Sequence, residues 1–285
     1  MQNRIHTAIL PVAGMGTRML PATKSVPKEL MPVYDRPLIQ FAVDEARAAG
    51  LRRLILVSHP TKGAIQDYFE RDHALRDHLH ANDKHDLARQ LDSLDPSEDM
   101  EIVFVHQDEP LGLGHAVLCA REIAAGDGPV AVMLPDDVIM GTEPAIGEMA
   151  RVYHPGQGKH MLATQTVAPE EVAKYGICAC DRPAVGRQVP VSAVVEKPAP
   201  DDAPSDVAII GRYILGADIF DALAETRPGS GGEIQLTDAI AAAAQNGGIS
   251  AYRITGTRYD CGHADGLLAA TLAFRDGKGA ATAAA

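Results

Sequence analysis

A short apolar run, Thr7 to Val12, breaks off into Ala-Gly-Met-Gly-Thr-Arg at residues 13 to 18. Unbroken apolarity over so few residues is the pattern of a strand buried on both faces, and the glycines that follow read as a tight turn at its carboxyl end. From Pro37 onward Leu38, Ala42, Ala46 and Ala49 keep helical spacing and stop at Gly50, after which Arg53 to Val57 is again strand-like. Strand, helix and strand in that order make a βαβ unit, which commits the chain to an α/β architecture. In an open sheet of this kind ligands bind beyond the carboxyl ends of the strands, so the loop after the first strand is the first place to look for a site.

The pattern continues along the chain. Residues 62 to 95 are charged and helical in spacing, while Glu101 to His106, Val130 to Leu134 and Met161 to Thr166 read as further strands separated by helical stretches. Then Ile177 to Cys180, Val189 to Val195 and Val207 to Leu215 follow one another more closely, with Pro, Asp and Gly between them, which suggests antiparallel strands. Gln235 to Gln245 and Ala264 to Arg275 form a final helical pair, and the low-complexity tail at 276 to 285 is expected to be disordered. No repeat and no linker divides the chain. The expectation is one domain over residues 1 to 275, with a mixed, mostly parallel central sheet and a small antiparallel addition.

Composition narrows the function. The 285 residues are 46% hydrophobic, enough for a substantial core, and the net charge of -12 would repel nucleic-acid phosphates along any extended surface. A few cations converging in one cleft can still bind a small phosphorylated substrate. The N-terminus carries no signal-peptide core, and 18 consecutive apolar residues occur nowhere, so a soluble cytoplasmic protein without a membrane partner is expected. The four cysteines lack the histidine partners of a structural zinc site and read as reduced. No H-E-x-x-H or G-x-S-x-G pattern is present, and the eleven histidines, His115 among them, show no ligand spacing; covalent catalysis is not indicated.

The first loop holds Gly14, Gly16, Arg18, Lys24 and Lys28. Glycines let backbone N–H groups approach an anion, and the cations add charge-assisted hydrogen bonds, an arrangement suited to a nucleoside triphosphate. It is not a P-loop, because no Gly-Lys-Ser/Thr follows, and Met19 stands where a dinucleotide fingerprint needs its third glycine. The longer string Gly-Met-Gly-Thr-Arg-Met-Leu-Pro-Ala-Thr-Lys-Ser-Val-Pro-Lys-Glu-Leu-Met-Pro-Val (14 to 33) closely resembles the signature loop of nucleoside-diphosphate-sugar pyrophosphorylases. Within that superfamily, Pro-Ala-Thr-Lys-x-x-Pro-Lys-Glu and Glu-Pro-Leu-Gly-Leu-Gly-His-Ala-Val (109 to 117) resemble the bacterial UTP-glucose-1-phosphate uridylyltransferases. Leu-Pro-Asp-Asp (134 to 137), Val-Glu-Lys-Pro (195 to 198), Gly-Gly-Glu-Ile-Gln-Leu-Thr-Asp (231 to 238) and Tyr-Asp-Cys-Gly (259 to 262) follow in the family's order.

The resemblance implies a Rossmann-like nucleotidyltransferase fold, with a nucleotide-binding part over about 1 to 140 and a sugar-binding part over about 141 to 275. It implies UTP and glucose 1-phosphate as substrates, UDP-glucose and pyrophosphate as products, magnesium as cofactor and a homo-oligomer as the assembly. It places Ala13, Gly14, Gln107 and Gly112 on uracil, and Gly16, Arg18, Lys24 and Lys28 on the triphosphate. On the sugar side it places Lys197 on the sugar phosphate, with Glu196 and Gly176 on the sugar. An amide suits uracil because it both donates and accepts. Asp136 and Asp260 become the magnesium pair, as hard oxygen ligands suit that ion. Asp137 could instead be the ligand, and Asp260 could cap the last helix. A glucose-1-phosphate thymidylyltransferase and a catalytically silent regulatory paralogue are the alternative readings.

Overall fold

The computed structural model describes residues 5–95, 100–154, 159–180, 187–244 and 248–277; residues 278–285, most of the expected disordered tail, lie outside this set. The first apolar run is strand β1 (Thr7–Pro11), followed by the small ribbon β2 (Pro32–Val33) and β3 (Arg36–Pro37) and by helix α1 (Leu38–Ala48). Next come β4 (Arg53–Ser58), α2 (Gly63–Phe69), α3 (His73–Ala81), α4 (His85–Leu94), β5 (Glu101–His106), α5 (Leu113–Cys119), α6 (Arg121–Ala124) and β6 (Val130–Met133). The second half adds β7 (Asp137–Met140), α7 (Ala145–Val152), β8 (His160–Thr166), β9 (Gly176–Cys180), β10 (Gln188–Glu196) and β11 (Val207–Leu215). It closes with α8 (Ile219–Glu225), α9 (Leu236–Ala244), β12 (Ile249–Arg253), β13 (Thr257–Asp260) and α10 (Ala264–Arg275).

Among the described residues nine strands form one mixed sheet in the order β5-β4-β1-β6-β11-β8-β12-β10-β9. The pairs β5–β4, β4–β1 and β1–β6 are parallel. Strand β11 then runs antiparallel to both β6 and β8. The antiparallel strands of the second half are therefore not a separate layer but the continuation of the same sheet. The strand-forming runs are unbroken because the sheet is covered on both sides. In β1, Ala8 and Leu10 face a core shared with α1 and α7, whereas Ile9 faces one shared with α5, α8 and α9. The pair β7–β13 stands apart as a short antiparallel ribbon that brings Asp260 opposite Asp137. None of the described helices is long and apolar enough to cross a membrane.

Candidate active site

The carboxyl ends of β1, β4, β5 and β6 deliver the first loop, Lys62, Gln107 and Asp136 to one edge of the sheet. A cleft of about 820 Å³ opens beside them, lined by Arg18, Asp136, Lys197, Gly211, Tyr213 and Asp260 among others. Its size and polar lining suit small charged molecules.

The loop is held from behind by a residue the sequence reading passes over. The Lys62 ammonium donates to the carbonyls of Val12 (2.8 Å) and Gly14 (2.6 Å) and to Glu29 Oε2 (2.9 Å). In a trans peptide the N–H points opposite to the C=O, so the N–H groups of Ala13 and Met15 face away from Lys62. Gly16 turns the chain with φ of 65°, and Thr23 Oγ1 donates to its carbonyl at 2.8 Å. Burial lowers the pKa of Lys62 and raises that of Glu29, against the attraction between them. The only sequence signal for this brace is the glutamate following Lys28, and nothing local links it to residue 62.

Asp136 sits in the turn between β6 and β7 and accepts from Lys28 Nζ at 2.7 Å, with Arg18 Nη2 3.8 Å from the same oxygen. Burial pushes the Asp136 carboxyl up, but Lys28 and Arg18 outweigh it and leave the pKa below the usual value. Burial also pushes the Lys28 ammonium down, and Asp136 and Glu29 outweigh it, so that it stays charged to higher pH. Asp137, by contrast, is committed to the protein. It accepts from Arg258 Nε at 2.7 Å, with Arg258 Nη2 at 2.6 Å, and its other oxygen accepts from the Gly211 N–H at 2.8 Å. A Cβ at Gly211 would stand 2.5 Å from that oxygen, so only glycine admits the carboxylate. The turn itself is locked by Arg212, which pairs with Glu45 on α1 (2.7 Å) and donates to the carbonyls of Leu134 and Asp137 (2.9 Å each).

Asp260 ends β13, and the Cys261 N–H donates to the Asp136 carbonyl at 2.7 Å, which ties the two acidic segments together. Asp260 is not the cap of the last helix: His263 takes that place, accepting from the Gly266 N–H. Its Oδ1 accepts from the Gly262 N–H at 2.9 Å, and Arg258 Nη2 lies 3.6 Å from Oδ2. A Cβ at Gly262 would collide with Arg18 and stand 2.9 Å from Asp260 Oδ1, so the Gly262 turn sits between the Arg18 guanidinium and Asp260. Both carboxylates thus already face cations. No cluster of three or more His, Cys, Asp or Glu side chains forms a metal site among the described residues. Two hard oxygen donors without such a cage fit an ion that takes one or two carboxylates and fills its shell from phosphates and water.

Across the cleft, Gly176 pairs with Glu196 where β9 meets β10, and the Lys197 N–H donates to the Tyr175 carbonyl at 2.9 Å. A Cβ at Gly176 would lie 3.2 to 3.3 Å from side-chain atoms of Ile209, Thr237 and Glu196, so a larger residue would press on all three. Lys197 adopts a φ of 45°, a region that L residues rarely enter, and its half-exposed ammonium lies 3.3 Å from Glu196. Gln107, buried, donates through Nε2 to the Gly112 carbonyl at 3.1 Å. Gly112 has φ of 96° and packs against Glu233 and Ile234. Of the expected site residues, Arg18, Asp136, Gly176, Glu196, Lys197 and Asp260 line the cleft, Lys28 meets Asp136 and Gln107 meets Gly112, while Lys24, in the same loop as Arg18, is exposed and has no ion pair among the described residues.

A backbone loop flanked by cations, two carboxylates and a second polar wall carrying Lys197 form an enzyme site that can hold two phosphate esters against each other. That is the layout of a phosphoryl-group transferase. The chain belongs to the nucleotidyl transferase family, whose model matches residues 7–277. It is 41% identical over 281 residues to the UTP–glucose-1-phosphate uridylyltransferase of Escherichia coli (strain K12), covering 96% of this chain and 91% of that one. The UTP-bound UGPase of Acinetobacter baumannii superposes with a TM-score of 0.87 at 39% identity, over 95% of this chain and 93% of that one. A UDP-glucose pyrophosphorylase complexed with UDP-glucose gives 0.85 at 37% identity, over 96% and 99%.

Proposed function

We propose that this chain transfers the uridylyl group of UTP to glucose 1-phosphate. A phosphate oxygen of the sugar ester attacks the α-phosphorus, the bond from that phosphorus to the β-phosphate bridge breaks, and pyrophosphate leaves with the electron pair. The observation that carries the reading is that Arg18, Asp136, Lys197 and Asp260 line one cleft, in a chain similar along nearly its whole length to enzymes of that name. The nucleophile is already an anion and needs no general base, so the protein's work is alignment and charge compensation.

In this reading the nucleotide occupies the part built from residues 1 to 140 and the sugar phosphate the part from about 141 to 275. The two are stitched together where the Gly114 N–H donates to the Ile234 carbonyl and the Ile234 N–H to that of Leu111. Arg18 and Lys28 serve the triphosphate, and Lys197 the incoming phosphate. Asp136 and Asp260 would hold magnesium, which supplies charge neutralisation at the phosphate oxygens. The test is pyrophosphate release from glucose 1-phosphate, magnesium and each nucleoside triphosphate in turn, with UTP expected to be fastest. A higher catalytic efficiency with dTTP would replace the reading by a thymidylyltransferase, and no release with any triphosphate would replace it by a regulatory paralogue.

The Lys62 brace adds a second expectation. Lys62→Met should raise the KM for UTP about tenfold, since two loop carbonyls lose their donor, while the KM for glucose 1-phosphate changes less than about twofold. Steady-state kinetics with each substrate varied decide it. An unchanged KM for UTP would show that Thr23 and the local turn hold the loop unaided.

A further inference from the structure

The base side of the site contains a contact that the reaction does not explain. The Gln107 backbone N–H donates to Ser58 O at 2.8 Å, extending the β4–β5 ladder by one residue, and the residue is only 4% exposed. Nε2 lies 3.1 Å from the Gly112 carbonyl and 3.0 Å from His115 Nδ1. A backbone carbonyl can only accept, so the amide nitrogen, and not its oxygen, must face Gly112. That settles the orientation without reference to the histidine. His115 Nδ1 must then accept too, which puts the imidazole proton on Nε2.

The ring is seated by its own helix. His115 is the third residue of α5, Cys119 Sγ lies 3.9 Å from both ring nitrogens one turn later, and Gly114 packs against Ile234 so closely that no larger residue fits. An amide nitrogen has two protons, and Gly112 and His115 take both. The side chain is left with Oε1, which has no hydrogen-bond partner among the described residues, so it offers a base an acceptor alone and not the donor and acceptor expected of an amide from the sequence.

We propose that His115 is a specificity-determining residue: by taking the second amide proton it makes Gln107 a pure acceptor, so that the site accepts bases with a ring N–H, such as uracil and thymine, and rejects cytosine. The inference rests on the reading that Gln107 meets the base of the nucleotide. Uracil and thymine offer N3–H to a lone acceptor, whereas cytosine N3 offers a lone pair and meets it acceptor to acceptor. If His115 were apolar, the second amide proton would be released to bond cytosine.

The experiment measures kcat/KM for UTP, CTP and dTTP, each with glucose 1-phosphate, in wild type, His115→Leu and His115→Asn. In His115→Leu the UTP-to-CTP ratio should fall about tenfold, the worth of one hydrogen bond, while the UTP-to-dTTP ratio holds, because both bases carry the same N3–H. Asn places its side-chain oxygen near the position of Nδ1, so His115→Asn should restore the UTP-to-CTP ratio. Each ratio comes from one preparation, and any unfolded fraction cancels. An unchanged UTP-to-CTP ratio in His115→Leu, or a UTP-to-dTTP ratio that falls in step with it, overturns this proposal alone. Wild-type protein that turns over no UTP overturns the uridylyltransferase reading and this proposal with it.

Discussion

Asp136→Asn and Asp260→Asn are each expected to lower turnover by about two to three orders of magnitude, with the double variant little worse than the poorer single one. The two carboxylates share one cationic environment: Arg18 Nη2 is 3.8 Å from Asp136 and crowds the Gly262 turn beside Asp260. If both hold one ion, losing either removes most of what the pair does, and the second loss finds little left. An amide keeps the shape of the carboxylate but not its charge, so the half-saturating magnesium concentration should rise in each single variant, with partial rescue at high magnesium by mass action. Thermal unfolding of each variant separates this from damage to the fold, since Lys28 loses its 2.7 Å partner in Asp136→Asn. Losses that multiply independently, with the magnesium dependence unmoved, would reject the shared ion.

Lys197→Ala should reduce kcat/KM for glucose 1-phosphate by about two orders of magnitude, leaving the KM for UTP within about twofold. Among the described residues the ammonium's one close partner is Glu196 at 3.3 Å, and Lys197 lines the cleft on the wall opposite the glycine loop. Its backbone sharpens the test. With φ of 45° the residue is held in a conformation that costs a side-chain-bearing residue about 1 kcal/mol or more, so the chain at 197 favours glycine on stability alone. Lys197→Gly should therefore unfold no more easily than the wild type and yet be as inactive as Lys197→Ala. A glycine variant that kept its activity would show that the position serves only the turn.

The parts of this site that could be read from the chain are those decided within one element. β1, α1 and β4 follow from apolar spacing, and the glycine turn from the residues that form it. The strands at Val207 to Leu215 and the last helix also fall where periodicity puts them. The sequence reading places no strand at Ile249–Arg253, and for a physical reason. β12 is five residues long, and what makes it a strand is its parallel pairing with β8 and antiparallel pairing with β10, contacts remote in sequence.

The sequence by itself determined the architecture, the family resemblance and the residue types of the chemistry, because spacing and glycine placement are local properties of a chain. Which acid is held by the second half of the chain and which meets the cations of the first loop was decided only by tertiary structure. Asp136 and Asp137 are neighbours with the same side chain, and they differ because Gly211 and Arg258, 74 and 121 residues away, claim Asp137 and leave Asp136 to the cleft. The same holds for Lys62 behind the loop and for Arg212 reaching Glu45 across 167 residues. Each of these bonds is 3.1 Å or shorter and joins partners that tertiary pairing brings together: β4 beside β1 for Lys62, the β7–β13 ribbon for Arg258, and β11 beside β6 for Gly211 and Arg212. Strand order is a property of how the two cores pack, which no window along the chain contains.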